Sequence, residues 1–167
     1  MNILRLIFSS FRGSGSKTPA ATADFADISL EQYQALEPNM VVREGDTEVV
    51  FSTPILFTKF RVDSLRTKEP DTIAWIAGFE PDDVLVDIGA NVGMHTVIMA
   101  NRVGPTGHVV VFEPDPHPMG RLRRNLALNG IDWVRTVEAA VAGRSEVRSF
   151  YLHDETIGNY ANASLVA

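Results

Sequence analysis

The sequence lacks cysteine altogether among its 167 residues. This absence excludes disulfide bonds, thiolate zinc sites and a cysteine nucleophile, and it is typical of a reducing compartment. Long apolar runs are missing as well: in the N-terminal stretch the longest is Leu6–Phe8, far below the roughly 18 residues that span a bilayer, and no small-residue cleavage site follows. We therefore expect a cytoplasmic protein with no transmembrane segment.

Positive charge is in deficit, with 15 Lys and Arg residues against 21 Asp and Glu residues and a net charge of −6. Nucleic acids and anionic membranes are bound nonspecifically through clustered cationic side chains, so neither is an expected partner. The residues His108, His117 and His153 do not have the spacing of metal ligands, and we expect no metal site. The 45% of hydrophobic and 22% of charged residues are typical of a globular domain that buries a core.

Composition divides the chain into three regions. Residues 1–27 combine a short amphipathic stretch, Met1–Arg12, with a linker-like segment, Ser9–Asp27, that is rich in Gly, Ser, Ala and Thr. The amphipathic stretch is interpreted as a frayed or packed terminal element rather than an interfacial helix. Residues 28–80 form an accessory region, and residues 81–167 form the main domain.

The accessory region contains signals for a hairpin and a helix. Apolar residues on either side of a polar tip at Gly45 predict two antiparallel strands between Met40 and Phe51. Pro70 suits the first turn of a helix and Gly78 suits its end, so a short helix is predicted between them.

Beyond Pro81 the helical and strand periodicities alternate, as they do in α/β proteins. The nearly continuous apolar run Val84–Ile88 predicts a strand covered on both faces. The later predictions are a helix over Val92–Val103, a strand over His108–Phe112, a helix that Asp115 caps and Gly130 ends, and strands over Val134–Val141 and Glu146–Leu152. The fold class is therefore α/β: a Rossmann-like doubly wound sheet, present as a β-α-β-α-β half plus accessory strands.

The most informative segment, Asp87–Thr96, joins the first strand of this half to its first helix. Gly89 and Gly93 let the backbone turn tightly and approach a ligand, and the N-terminus of the helix can offer unpaired N–H groups. Glu113 ends the next strand, where a carboxylate can accept hydrogen bonds from both hydroxyls of a ribose. We therefore expect a nucleotide-like ligand at the carboxyl ends of these strands.

The spacing of the glycines separates two classes of nucleotide cofactor. The dinucleotide fingerprint Gly-x-Gly-x-x-Gly needs a second glycine where this chain has Asn91, which makes an NAD-dependent oxidoreductase the weaker alternative. Asp87 would repel a pyrophosphate but attract an amino group or a sulfonium. S-adenosylmethionine carries both cations, and we expect it to be the cofactor.

Several blocks of sequence occur in an order that resembles the FkbM family of S-adenosylmethionine-dependent methyltransferases. The blocks are KEPDT at 68–72, VLVDIGANVGMHT at 84–96, VVVFEPDP at 109–116, LRRNLALNG at 122–130 and VRTVEAAVAG at 134–143. The resemblance covers about residues 67–167. It implies a class I methyltransferase fold and methyl transfer to hydroxyl oxygens of small molecules, glycans or natural products.

Carried over residue by residue, the resemblance assigns the strand-to-helix loop to the methionine portion of the cofactor, Glu113 to its ribose and Glu69 to its vicinity. The loop residues are Asp87, Gly89, Asn91, Gly93 and Thr96. Ala140 would lie near the adenine, at a position where many class I methyltransferases have an acidic residue, and Glu138 lies two residues earlier. No residue is identified as the catalytic base.

The resemblance stops short of the later half of the fold. No Asp-x-Glu-Gly block follows the fourth predicted strand, so part of the acceptor site and one flank of Val84–Ile88 are missing from this sequence. The expected consequences are a C-terminally truncated chain and self-association through an unpaired sheet edge, unless strands within Met40–Phe60 cover that edge. The alternative to an enzyme is a non-catalytic fragment or cofactor-binding module that lacks the acceptor half.

Overall fold

The computed structural model describes residues 36–44, 47–147, 149–152 and 163–165, together with residues 29 and 32. The chain divides into two units, Met1–Tyr33 and Gln34–Ala167, and the elements described below belong to the second. The predicted amphipathic stretch Met1–Arg12, the linker Ser9–Asp27 and the hairpin residue Gly45 lie outside the described residues.

The second unit begins with the predicted hairpin. Strands β1 (Asn39–Glu44) and β2 (Thr47–Ser52) pair in antiparallel fashion over their whole lengths. On β2 the side chains of Val49 and Phe51 are buried, because alternate residues of a strand point to the same face. The hairpin is therefore confirmed, and it presents one apolar face to the rest of the unit.

Two helices follow the hairpin, one of them unexpected. The strands expected within Met40–Phe60 end at Ser52, and the chain becomes helical at Leu56, where it forms the unpredicted helix α1 (Leu56–Lys68). The buried side chains of α1 lie three or four residues apart, as on one face of a helix: Thr58, Val62 and Leu65. Helix α2 (Pro70–Ala77) begins at the proline and ends before Gly78, as predicted.

The main sheet has three parallel strands in the order β3-β4-β5. They are β3 (Val84–Ile88), β4 (His108–Phe112) and β5 (Val134–Val137). Helix α3 (Met94–Val103) joins β3 to β4, and helix α4 (Pro116–Leu128) joins β4 to β5. This β-α-β-α-β unit is the predicted half of a doubly wound sheet, so the α/β fold class is confirmed.

Local backbone preferences explain where the two crossover helices begin. Asn91 and Gly93 have φ angles of 53° and 78°, in the left-handed region, so α3 starts at Met94 rather than at Val92 as predicted. Helix α4 begins after Asp115, whose side chain accepts a hydrogen bond from the backbone N–H of His117 at 2.9 Å. The predicted role of Asp115 as an N-cap is confirmed.

The segment after β5 differs from the prediction. The third strand ends at Val137 and not at Val141, because the backbone N–H of Ala139 turns back to donate to the Val137 carbonyl at 3.0 Å. The predicted fourth strand from Glu146 is limited to β6 (Phe150–Leu152). It pairs in antiparallel fashion with β7 (Ala163–Leu165), in a sheet separate from the parallel one.

One face of the main sheet is covered and the other is open in the described part of the chain. Helices α3 and α4 pack against the strands, and the β4 side chains of Val109 and Val111 are buried. On β3, however, Val84 is 70%, Val86 59% and Ile88 61% exposed. The prediction that this strand is covered on both faces is therefore wrong: all residues of β3 except Asp87 are apolar, but the described residues cover the side chains on one face of the strand only.

The open edge of the sheet is also exposed to pairing. Among the described strands, β3 pairs with β4 on one side and has no strand on the other. The hairpin β1–β2 forms a sheet of its own and does not cover that edge, contrary to the possibility raised for Met40–Phe60.

Asn125 on α4 and Asn129, which directly follows the last residue of α4, connect the hairpin to this helix. Asn125 accepts from the backbone N–H of Ser52 and donates to the carbonyl of Val92, both at 2.8 Å. One turn later, Asn129 accepts from the N–H of Val50 at 2.8 Å and donates to the Val50 carbonyl at 2.7 Å. Strand β2 and the loop before α3 are thereby held against the same helix.

Candidate functional site

A cavity of about 480 Å³ lies at the carboxyl ends of β3 and β4. Its lining comes from helix α1, the residue between α1 and α2, the end of β3, the loop between β3 and α3, the start of α3, the segment after β4 and strand β6. The lining residues are Arg61, Glu69, Asp87, Ile88, Gly89, Ala90, Asn91, Met94, His95, Glu113, Pro114, Asp115 and Phe150. Open α/β sheets bind their ligands at this end of the strands.

The backbone N–H groups of the loop are used within the protein. Those of Gly89 and Ala90 donate to the Phe112 carbonyl at 2.8 and 3.2 Å, and that of Asn91 donates to Oε2 of Glu113 at 2.8 Å. The N–H of Val92 donates to Oδ1 of Asn91, and that of Gly93 to the Ala90 carbonyl, both at 2.9 Å. The N–H groups of residues 89–93 are therefore not free to cradle a phosphate. The unpaired N–H groups were expected at the N-terminus of helix α3, which begins at Met94, and that expectation stays a prediction.

Glu113 holds the loop against the end of β4. Its side chain is 6% exposed, and its Oε1 atom accepts from the backbone N–H of Asp115 at 2.9 Å. With Asn91 on Oε2, both carboxylate oxygens are engaged, yet each has a second lone pair. Glu113 can thus accept further hydrogen bonds from a ligand while it fixes the loop.

Two of the predicted site residues lie behind the cavity wall. Thr96 is fully buried, and its hydroxyl donates to Oδ2 of Asp87 at 2.5 Å. At Gly93, a Cβ atom would lie 2.7 Å from Cγ of Leu122, so the glycine allows α4 to pack closely on the loop. Thr96 and Gly93 therefore shape the site without lining it.

Three polar side chains around the cavity each have one atom that lacks a hydrogen-bond partner. In the described part of the chain, the buried side-chain atoms without a partner are Nε of Arg61, Nε2 of His95 and Oδ2 of Asp115. All three residues line the same cavity. Because an unpaired buried polar atom is costly, the presence of three such residues around one cavity favours a site for a polar ligand.

The cavity wall is predominantly acidic. Four carboxylates line it, those of Glu69, Asp87, Glu113 and Asp115, against the guanidinium of Arg61. Burial lowers the pKa of Arg61, while the charges of Glu69 and Glu113 raise it. An arginine keeps its charge at neutral pH, so the wall carries an excess of negative charge that attracts cations and repels pyrophosphate.

A second cavity of about 350 Å³ adjoins the first and shares Pro114 and Phe150 with it. Ala140 and Glu138 line this second cavity. The structure thus brings Glu69, Asp87, Gly89, Asn91 and Glu113 together in the first cavity and places Ala140 in the adjoining one.

Sequence reasoning missed several residues of the first cavity. Arg61 comes from the unexpected helix α1 and belongs to no motif. His95 is not among the predicted site residues, and its Nε2 atom lies 3.6 Å from Oε2 of Glu69. Asp115 was interpreted as a helix cap alone, whereas the residue also lines the cavity: its Oδ1 atom caps α4, and its Oδ2 atom is buried without a hydrogen-bond partner.

No helix in the described part of the chain combines the length and apolar character needed to cross a membrane. In the same residues, no group of three or more His, Asp or Glu side chains is arranged to hold a metal ion.

The fold and the cavity together define half of a doubly wound domain with an acidic ligand site at the carboxyl ends of its strands. Residues 87–164 match the family model described as the Methyltransferase FkbM domain. The resemblance predicted from the sequence blocks is therefore confirmed over this part of the chain.

Two curated relatives share part of this sequence. Methyltransferase 1 of Beauveria bassiana is 26% identical over 84 residues, which are 50% of this chain and 33% of that protein. Hexuronic acid methyltransferase AglP of Haloferax volcanii is 28% identical over 91 residues, 54% of this chain and 36% of that protein. The matches thus span about a third of the length of these relatives.

Among solved structures, a SAM-dependent methyltransferase from Aquifex aeolicus matches with a TM-score of 0.43 and 15% identity. The match covers 50% of this chain and 45% of that one. The fold class rests on the strand order and connections described above rather than on this likeness.

Proposed function

We propose that this chain binds S-adenosylmethionine in the 480 Å³ cavity and supplies the cofactor half of a methyltransferase that acts on a hydroxyl oxygen. The observation that carries the proposal is the acidic wall around three unpaired buried polar atoms. A ligand that is largely cationic, and that also carries hydrogen-bonding groups, satisfies both features. The match of residues 87–164 to a methyltransferase family supports the same ligand.

The residues present fit the parts of this cofactor. The carboxylates of Glu69, Asp87 and Asp115 suit its ammonium and sulfonium groups, and Glu113 retains lone pairs for ribose hydroxyls. The adjoining cavity beside Ala140 offers a place for the adenine. When bound, S-adenosylmethionine supplies an electrophilic methyl group carried on its sulfonium sulfur.

The chain contributes mainly by positioning. Thr96 holds the carboxylate of Asp87, and two backbone N–H groups hold that of Glu113, so these groups are oriented before a ligand arrives. Oriented groups lose little freedom on binding, which favours both affinity and a productive geometry. No described residue is assigned as the base that accepts the hydroxyl proton.

The proposed acceptor is a hydroxyl group on a small molecule, a glycan or a natural product. A sugar is supported by the name of the Haloferax volcanii relative, which acts on hexuronic acid. A cytoplasmic location belongs to the same proposal, because a chain without cysteine suits a reducing compartment.

A dinucleotide is a poorer fit to this cavity. The N–H groups of residues 89–93 are used internally, and Asn91 stands where the fingerprint needs glycine. A pyrophosphate would therefore meet carboxylates without the backbone donors of this loop.

The cofactor assignment is tested by calorimetric titration of S-adenosylmethionine into wild type and Asp87→Asn. Loss of a charged contact costs about 1.5–3 kcal/mol, so we expect the variant to bind about ten- to a hundredfold more weakly. The matched control is Asp132→Asn, which removes the same charge from an exposed residue that does not line the cavity. Equal affinity of wild type and Asp87→Asn would contradict the assignment.

Methyl transfer is tested separately with S-adenosylmethionine that carries a labelled methyl group and a panel of hydroxyl-bearing sugars, including hexuronic acids. The proposal predicts label in a sugar. Cofactor binding without transfer to any acceptor of the panel would favour the alternative, a cofactor-binding module that lacks the acceptor half.

A further inference from the structure

Arg61 contributes a guanidinium to the cavity from outside the matched family region. It lies on α1, whereas the family match begins at residue 87. Its guanidinium carbon lies 5.0 Å from the centre of the Phe57 ring, a cation–π contact that restrains the side chain. Its Nε atom is buried and has no hydrogen-bond partner in the described part of the chain.

The carboxylates near Arg61 do not accept a hydrogen bond from its Nε atom. The oxygens of Glu113 accept from the backbone N–H groups of Asn91 and Asp115. Glu69 faces His95 across 3.6 Å. Arg61 therefore interacts electrostatically with Glu69 and Glu113, but its Nε–H group makes no hydrogen bond with either carboxylate.

A buried guanidinium with an unpaired donor is suited to bind a planar anion. Its donors form a rigid fork that fits a carboxylate in a bidentate arrangement, and burial strengthens such a contact. Among the residues that line the cavity, Arg61 is the one with a permanent positive charge. A carboxylate on the ligand would thus find its partner at α1, while an ammonium would find its partners at the acidic wall.

We propose that Arg61 binds the carboxylate of the cofactor's amino-acid portion and makes α1 part of the specificity of the site. The inference rests on the proposed function, since it names the residue that recognises one end of S-adenosylmethionine. The site would thus recognise a zwitterionic amino-acid group: Arg61 would bind its carboxylate, and the acidic residues would bind its ammonium.

The inference is tested with two ligands that differ by one group: S-adenosylmethionine and its decarboxylated form. Wild type should bind S-adenosylmethionine about tenfold or more tightly than the decarboxylated ligand, as expected for a charge-assisted contact. In Arg61→Gln this preference should disappear, because the affinity for S-adenosylmethionine falls while that for the decarboxylated ligand changes little. The control Arg66→Gln removes the same charge from an exposed position on α1 and should keep the preference.

A second variant keeps the test possible if the first one does not fold. If circular dichroism shows that Arg61→Gln is unfolded, Arg61→Lys is measured instead; it keeps the charge without the fork and should show a reduced preference. A preference that is unchanged in the folded variant, or an equal loss of affinity for both ligands, overturns the role of Arg61. Failure of folded wild type to bind either ligand overturns the proposed function itself.

Discussion

At the scale of single residues, Gly89 and Gly93 share a backbone conformation and differ in their surroundings. Their φ angles are 77° and 78°, in the left-handed region where other residues are strained. A Cβ atom on Gly89 would meet nothing within 4 Å, whereas one on Gly93 would lie 2.7 Å from Cγ of Leu122. Glycine is favoured at position 89 by the backbone conformation alone. At position 93 it is favoured by the backbone conformation and also by the close packing of Leu122.

We therefore expect Gly93→Ala to destabilise the protein more than Gly89→Ala. The backbone conformation costs about 1–2 kcal/mol in either variant. Overpacking against Leu122 adds about 1–3 kcal/mol in Gly93→Ala alone. Urea denaturation monitored by circular dichroism checks the order, and equal unfolding free energies for the two variants would show that α4 moves away without cost.

Glu37 is a second residue whose environment is informative. It accepts from Ser52 at 2.5 Å and from Arg124 at 3.0 Å, and Arg121 lies 3.2 Å away. Burial raises the pKa of Glu37, but these hydrogen bonds and charges outweigh it and lower the pKa below its ordinary value of 4.5. The contact ties the segment before β1 to helix α4.

The pH dependence of stability follows from this direction. A carboxylate with a lowered pKa stabilises the fold above its ordinary pKa, and the contribution is lost as the pH falls through the folded value. Glu37→Gln should therefore cost about 1 kcal/mol at pH 7 and less below pH 4.5. Glu48→Gln is the control, since its ion pair with Arg43 is exposed; a cost that does not vary with pH would contradict the expectation.

At the scale of elements, α4 is the part that organises the unit. Its apolar side chains Met119, Leu122 and Leu126 are buried, and the side chains of Asn125 on the helix and of Asn129 directly after it bond the backbone of β2. Helix α4 thus serves the hairpin as a hydrogen-bonding partner as well as an apolar surface.

Asn125→Ala should test the contribution of the hydrogen bonds to stability, because it leaves the apolar surface of α4 unchanged. It leaves the N–H of Ser52 and the carbonyl of Val92 without a partner, at about 1–3 kcal/mol for each buried group. Asn101→Ala, which removes one bond to a carbonyl of its own helix, should cost less. Thermal unfolding measures both, and an equal effect would mean that water replaces the lost partner of β2.

The elements that the sequence predicted are those whose boundaries have a local cause. Pro70, Asp115 and the glycines after α2 and α3 fix where helices begin or end, so these were found. Helix α1 was missed because its buried face includes a threonine, while Leu56 and Phe60 are 82% and 58% exposed. Its apolar residues therefore do not trace one stripe.

The same difference applies to the site. Asp87, Gly89, Asn91 and Glu113 lie in local motifs at strand ends, and the parallel sheet brings those ends together. Arg61 reaches the cavity through the packing of a separate helix, which no spacing in the sequence encodes. The use of the loop N–H groups within the protein likewise depends on where Phe112 and Glu113 lie in three dimensions.

At the scale of the whole molecule, the open face of the sheet stands out. Val84, Val86 and Ile88 are exposed in a row on β3, which has no strand on its outer edge among the described residues. Exposed apolar edge strands promote association between chains. We accordingly keep self-association through this edge as a prediction.

Val86→Lys tests this prediction. Burial of a valine in a contact is worth about 1.5 kcal/mol, so the substitution should weaken association by about tenfold or more. Sedimentation velocity over a range of concentrations measures the effect. Val147→Lys adds the same charge at a fully exposed position outside the sheet and should change little; equal effects of the two variants would show that net charge, and not the edge, controls association.

We expect the acidic cavity at the ends of β3 and β4 to select S-adenosylmethionine. The most direct measurement is calorimetric titration of the folded chain with S-adenosylmethionine and, in parallel, with NAD. We expect saturable binding of one S-adenosylmethionine per chain and no measurable binding of NAD. A folded chain that binds NAD more tightly, or that does not bind S-adenosylmethionine, would contradict this expectation.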